Sequence, residues 1–109
     1  MFIYHIVLPE DWEIWKERSF YEAPSLLTEG FIHCSFEEQL ESVISRYYAS
    51  APELVVLKIT SEKLTSKLVA EPSTGGEIYP HVYGPIDISA VVEAERRSNK
   101  ASGTVTVDA

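Results

Sequence analysis

A chain of 109 residues with a net charge of −8 and 45% hydrophobic residues suits one domain with a modest core, and it repels phosphate backbones unless a local basic patch exists. The nearest approach to such a patch is Arg96, Arg97 and Lys100, so a large nucleic acid is not an expected partner. The single cysteine, Cys34, excludes an intramolecular disulfide framework and fits a reducing cytoplasm, and no apolar run reaches the ~20 residues of a membrane span.

Residues 2–8 form an uninterrupted β-rich apolar run, which predicts a strand buried on both faces. Two-residue alternation places His5 on one face with Ile3 and Val7. Pro9 suits the first turn of a helix, and Glu10 and Asp11 suit its positive end; together they end the apolar run too early for a signal peptide. Trp12 and Trp15 fall on one helix face, where the expected role is core packing rather than a ligand platform. Residues 19–30 read as a long ordered loop, too apolar for a free linker, and a strand follows over 31–34. Ser35 and Glu38 fit a capping box. The helix it opens carries Phe36, Leu40, Val43, Ile44 and Tyr47 at helical spacing and ends before Pro52.

Residues 54–59 are the clearest central strand, with a helical turn over 61–64 and a further strand over 68–71. Residues 72–76 are a flexible break; they have no lysine and no following helix signal, so they do not read as a phosphate loop. Pro80 sends the run 78–82 to a sheet edge or makes it irregular. Gly84 and Pro85 turn the chain, and residues 86–88 and 90–95 close the sheet. The expected organisation is a single domain over 1–97 and a small, polar, disordered tail over 98–109.

The histidine complement is His5, His33 and His81, each inside a short apolar, strand-like run. Strands distant in sequence pair in sheets, so these side chains can meet and then hydrogen-bond a ribose or phosphate, move a proton or ligate a metal. Tyr79, His81 and Tyr83 share a predicted face, either a wall for stacking a planar ring or an aromatic cluster on a small sheet. Three histidines also raise a zinc site, although no two share a local ligand motif. The run His33-Cys34-Ser35 fits half of a two-histidine phosphoesterase pattern, and neither other histidine completes it. Cys34 as a nucleophile is disfavoured because the adjacent His33 points to the opposite strand face.

The runs Ile3-Tyr4-His5-Ile6, Pro24-Ser25-Leu26, Glu29-Gly30-Phe31-Ile32-His33-Cys34-Ser35 and Pro80-His81-Val82-Tyr83-Gly84-Pro85, with Gln39 and the Trp12/Trp15 helix, resemble a small bacterial family. It is the domain-of-unknown-function family 952, and the resemblance covers residues 2–95. That family is grouped by fold with the ADP-ribosyltransferases. The resemblance implies an α+β fold, a small split antiparallel or mixed β-sheet with flanking helices, holding NAD between its halves. It implies that His5 contacts the adenosine ribose, and that His33 replaces a tyrosine that stacks near nicotinamide. His81 then stands by order at the final catalytic position, which usually carries Glu, Asp or Gln, with Glu77 and Glu71 as alternatives. RNA 2′-phosphotransferases of the same fold are also similar, but their arginines have no evident counterparts here.

The resulting expectation is a cleft with His5, His33 and His81 as catalytic candidates and Ser25, Ser35, Tyr79 and Tyr83 as ligand-binding candidates. Three functions fit it: an ADP-ribosyltransferase-like enzyme acting on NAD or a related nucleotide, a non-enzymatic small-ligand or partner-binding module, and a histidine metal protein.

Overall fold

The computed structural model describes residues 1–99, and its first strand, β1 (Phe2–Val7), lies where the apolar run predicts it. Pro9 opens α1 (Pro9–Trp15), with Glu10 and Asp11 in the first turn. Its Trp12 and Trp15 pack against the core as half-buried side chains. The stretch expected as one long loop instead holds β2 (Phe20–Tyr21) and α2 (Pro24–Glu29). A helix of this length has too few turns to show apolar periodicity, yet its punctuation is orthodox. Pro24 sits at the start, and Gly30 closes it in the left-handed conformation at φ 88°, which glycine adopts without a Cβ penalty.

After β3 (Ile32–His33) comes a 3-10 turn (Glu37–Gln39) leading into α3 (Leu40–Tyr47). The helix start is displaced from the expected cap. Ser35 is held in a two-way main-chain bridge with Tyr4, at 2.8 and 2.7 Å, and so does not serve as the cap. The Gln39 side-chain oxygen accepts from the Phe36 N–H at 2.9 Å instead. The chain continues through β4 (Glu53–Thr60), a 3-10 turn (Ser61–Lys63), β5 (Lys67–Pro72), β6 (Ile78–Tyr83), β7 (Ile86–Asp87), a 3-10 turn (Ile88–Ala90) and β8 (Val91–Ser98). Asn99 donates from Nδ2 to the carbonyls of Tyr48 and Ala51, at 2.8 and 2.9 Å; the rest of the expected tail, residues 100–109, lies outside the described residues.

Among the described residues the strands pair antiparallel in the orders β1-β4-β8, β2-β7 and β3-β6-β5, giving an α+β architecture of antiparallel sheets with few helices. The Tyr4–Ser35 bridge joins the first of these sheets to the chain leaving β3. β1 is buried on both faces because its alternate residues enter different cores. Ile3 and Val7 pack with Val55, Leu57 and Ile59; Tyr4 and Ile6 pack with Leu54, Val56 and the α3 residues Leu40 and Ile44. Leu40 and Ile44, four apart, present one helix face to the sheet.

Pro80 does not place β6 at an edge; β6 is the middle strand of its sheet. The Pro80 carbonyl accepts from the Cys34 N–H at 3.1 Å, so the polar edge of Pro80 faces β3 rather than β5. β3 has ended at His33, so the missing N–H falls where no strand partner asks for it. Further on, Gly84 has φ 154°, and a Cβ there would lie 2.9 Å from the Ser66 Cβ. Ser66 is itself fixed, its hydroxyl donating to the Pro85 carbonyl at 2.6 Å. No helix among the described residues is long and apolar enough to cross a membrane.

Candidate functional site

β1 carries His5 into the buried interior, where both ring nitrogens are engaged. Nδ1 lies 2.6 Å from the His33 carbonyl oxygen, and Nε2 lies 2.9 Å from the Tyr21 hydroxyl. A carbonyl only accepts, so Nδ1–H donates and the Nε2 lone pair receives the Tyr21 O–H. Burial lowers the His5 pKa from 6.5 to about 4, outweighing the raising effect of the His33 carbonyl, so the ring is neutral at pH 7. Burial likewise pushes the Tyr21 phenol up, which keeps its proton available for donation. The Tyr21 ring lies 5.1 Å from His5 and is wedged edge-on by Trp15 at 5.8 Å.

His33 and His81 stand directly opposite one another in the β3–β6 ladder. Their rings meet edge to face at 5.4 Å, and Phe31 stacks on His81 at 4.1 Å with an interplanar angle of 17°. Each is backed by a carboxylate. His81 Nδ1 lies 2.8 Å from Glu71 Oε1, an oxygen that also accepts from the Tyr83 hydroxyl. The Tyr83 bond first, and then the His81 bond, hold the Glu71 carboxyl below its ordinary pKa, so the carboxylate accepts and Nδ1–H donates. His81 Nε2 has no protein partner among the described residues. His33 Nε2 lies 3.1 Å from Glu29 Oε1, on the exposed side, and its Nδ1 is likewise without a partner there.

A cavity of about 890 Å³ opens between these elements. His5, His33, His81, Ser25 and Tyr79 line it; Ser35 and Tyr83 stand outside its wall. Ser35 is buried in the bridge to Tyr4, and Tyr83 acts behind the wall as the second donor to Glu71. Ser25 donates to the Phe31 carbonyl at 2.8 Å, which ties the first turn of α2 to the residue just before β3. The Tyr79 hydroxyl donates to Glu77 at 3.2 Å, and Glu77 also receives Gln39 Nε2 at 3.0 Å. Of the two alternative carboxylates, Glu77 lines the cavity and Glu71 does not.

Tyr21 and Arg46 also line the cavity, beyond the candidates the sequence offers. Tyr21 gives no local signal, because a two-residue strand shows no period. Arg46 does give one: it is the only Lys or Arg between Arg18 and Lys58. Cys34 is buried, and burial pushes its thiol up, which leaves it protonated and a poor nucleophile. No group of three or more His, Cys, Asp or Glu among the described residues is placed to hold a metal ion. The geometry explains this on the His5 side, where both nitrogens are already committed.

Residues 6–94 match the family described as "Protein of unknown function (DUF952)", and the chain belongs to that family. The crystal structure of protein CC0527 from Caulobacter crescentus is similar at 31% identity and a TM-score of 0.79, covering 88% of this chain and 85% of that one. The solution NMR structure of the same protein is similar at 32% identity and a TM-score of 0.75, covering 86% and 82%. No curated protein matches the sequence.

Proposed function

We propose that the cavity is a nucleotide-binding cleft of the ADP-ribosyltransferase kind, with NAD as the first ligand to test, and that its three histidines work as one cluster. The observation that supports this reading is the wall itself. A neutral, fully engaged His5–Tyr21 pair faces the same space as two carboxylate-backed imidazoles, each with a nitrogen free to meet a ligand.

Each side chain then has a defined task. The Tyr21 O–H donates to His5, and its oxygen keeps a lone pair for a ribose hydroxyl. His81 Nε2 accepts a proton or hydrogen bond while Glu71 fixes the ring. The Tyr79 ring offers a face to a base. NAD would supply a glycosidic carbon with nicotinamide as its leaving group. Three carboxylates line the wall, Asp11, Glu29 and Glu77; Glu29 is bonded to His33, and Glu77 is the one that matches the catalytic position by order.

A second reading, binding without turnover, is favoured by one feature. Glu77 is already tied to Gln39 and Tyr79, which weakens it as an acceptor for a reacting ribose. Thermal melts of the full chain with NAD and ADP-ribose test binding, since a ligand at 100 times its Kd adds about 2.7 kcal/mol. Tyr21→Phe should shrink the shift. Free nicotinamide after long incubation separates the enzyme from the binding module. A melting curve unmoved by any adenine nucleotide at millimolar concentration would sink both.

A further inference from the structure

The loop between β5 and β6 has neither the lysine nor the following helix of a phosphate loop, but the fold places a cation from α3 on the same cavity wall. Arg46 lines the same cavity as Ser73, Thr74 and Gly75. Its guanidinium donates to Ser42 Oγ at 3.1 Å and has no carboxylate partner among the described residues. In an acidic chain where Arg96 and Arg97 are both paired with glutamates, a cation on a cavity wall with no such partner is conspicuous.

The loop complements it. The Ser73 N–H bonds the Glu77 carbonyl at 2.8 Å, and the Gly76 N–H bonds the Ser73 carbonyl at 2.9 Å. This turn leaves the N–H groups of Thr74 and Gly75 without acceptors among the described residues. Successive free amides are donors of the kind that cradle oxyanions. The loop is anchored rather than loose: Gln39 Nε2 reaches both Glu77 and the Ile78 carbonyl, at 3.0 and 2.7 Å. The Glu77 carboxylate faces the same cavity, but it accepts from Gln39 and Tyr79, which spread its charge.

We infer that Arg46, with the Thr74 and Gly75 amides, forms an oxyanion subsite that receives a phosphate or pyrophosphate group of the ligand. The inference rests on the nucleotide reading and adds where the charged part of the ligand sits. Arg46 grips phosphate oxygens through its planar fork, which a lysine reproduces only as a point charge.

Melting and titration of the wild type, Arg46→Ala and Arg46→Lys with adenosine, AMP, ADP and inorganic pyrophosphate test it. Arg46 is exposed, so Arg46→Ala should fold, and far-ultraviolet circular dichroism checks that it does. The expected result is that ADP binds the wild type more tightly than adenosine, and that Arg46→Ala weakens ADP roughly tenfold or more while leaving adenosine unchanged. Arg46→Lys should retain part of the difference, and raised salt should erase it. An AMP affinity equal to that of ADP identifies a single phosphate as the group held; a gap between them identifies pyrophosphate. Pyrophosphate protection that Arg46→Ala abolishes, with adenosine inert, supports the subsite and removes the nucleotide reading. ADP or pyrophosphate binding unaffected by Arg46→Ala overturns the subsite, as does a wild type that binds none of the four probes.

Discussion

His5 and the His33–His81 pair line one cavity with opposite bonding. His5 hangs from a strand of the β1-β4-β8 sheet and is as buried as His81, but it has a donor and an acceptor both satisfied and its charge suppressed. His33 and His81 face each other across the β3-β6-β5 sheet, and each gives one nitrogen to a glutamate and keeps the other for whatever enters. The same side chain is thus bonded through both nitrogens on one side and through one nitrogen on the other. What separates the two is the partner: a carbonyl and a phenol use both nitrogens of a neutral ring, whereas a carboxylate holds a ring by one nitrogen and leaves the other unbonded among the described residues.

The contrast breaks most visibly if the doubly bonded ring is removed. His5→Phe puts a somewhat larger apolar ring in place of the imidazole and strands the Tyr21 hydroxyl and the His33 carbonyl, and should cost about 2–4 kcal/mol in urea unfolding. A loss below about 1 kcal/mol would mean that water from the cavity replaces the imidazole. Acid gives the next largest effect. As pH falls from 6.5 toward about 4, the unfolded chain protonates His5 and the folded chain does not, so stability drops with pH by up to about 3 kcal/mol. The stability difference between pH 7 and pH 4.5 should shrink by most of that amount, about 2 kcal/mol, in His5→Phe.

Tyr21→Phe, which leaves the His5 Nε2 lone pair without its donor, should cost about 1–2 kcal/mol at pH 7. The smallest change in folding belongs to the other side. His33→Ala removes an exposed pair with Glu29, and unfolding should register roughly 0–1 kcal/mol, while nucleotide protection falls. A His33→Ala variant as unstable as His5→Phe would erase the distinction between the two sides.

The sequence made part of this arrangement legible. β1 and β4 are visible as apolar runs, and the shared face of Ile3, His5 and Val7 follows from alternation alone. The position of α3 is readable from its apolar spacing, though its cap is not, because Ser35 is claimed by Tyr4 from another sheet. What stayed hidden depends on contacts with no local signature. The two residues of β2 bring Tyr21 to His5, and Pro80 sits in a middle strand only because β3 stops short. Arg46 and the β5–β6 loop are brought onto the wall of one cavity by the fold, not by sequence proximity.

Gly84 and Ser66 lie on either side of the β5–β6 hairpin with no room for another carbon between them. Neither position can be altered as though the other were absent. A relative bearing a methyl or larger group at the first should show a glycine at the second, or a reshaped turn at Pro85. The two sites would be inherited as a unit, and that covariation would be readable from related sequences without any measurement on the protein.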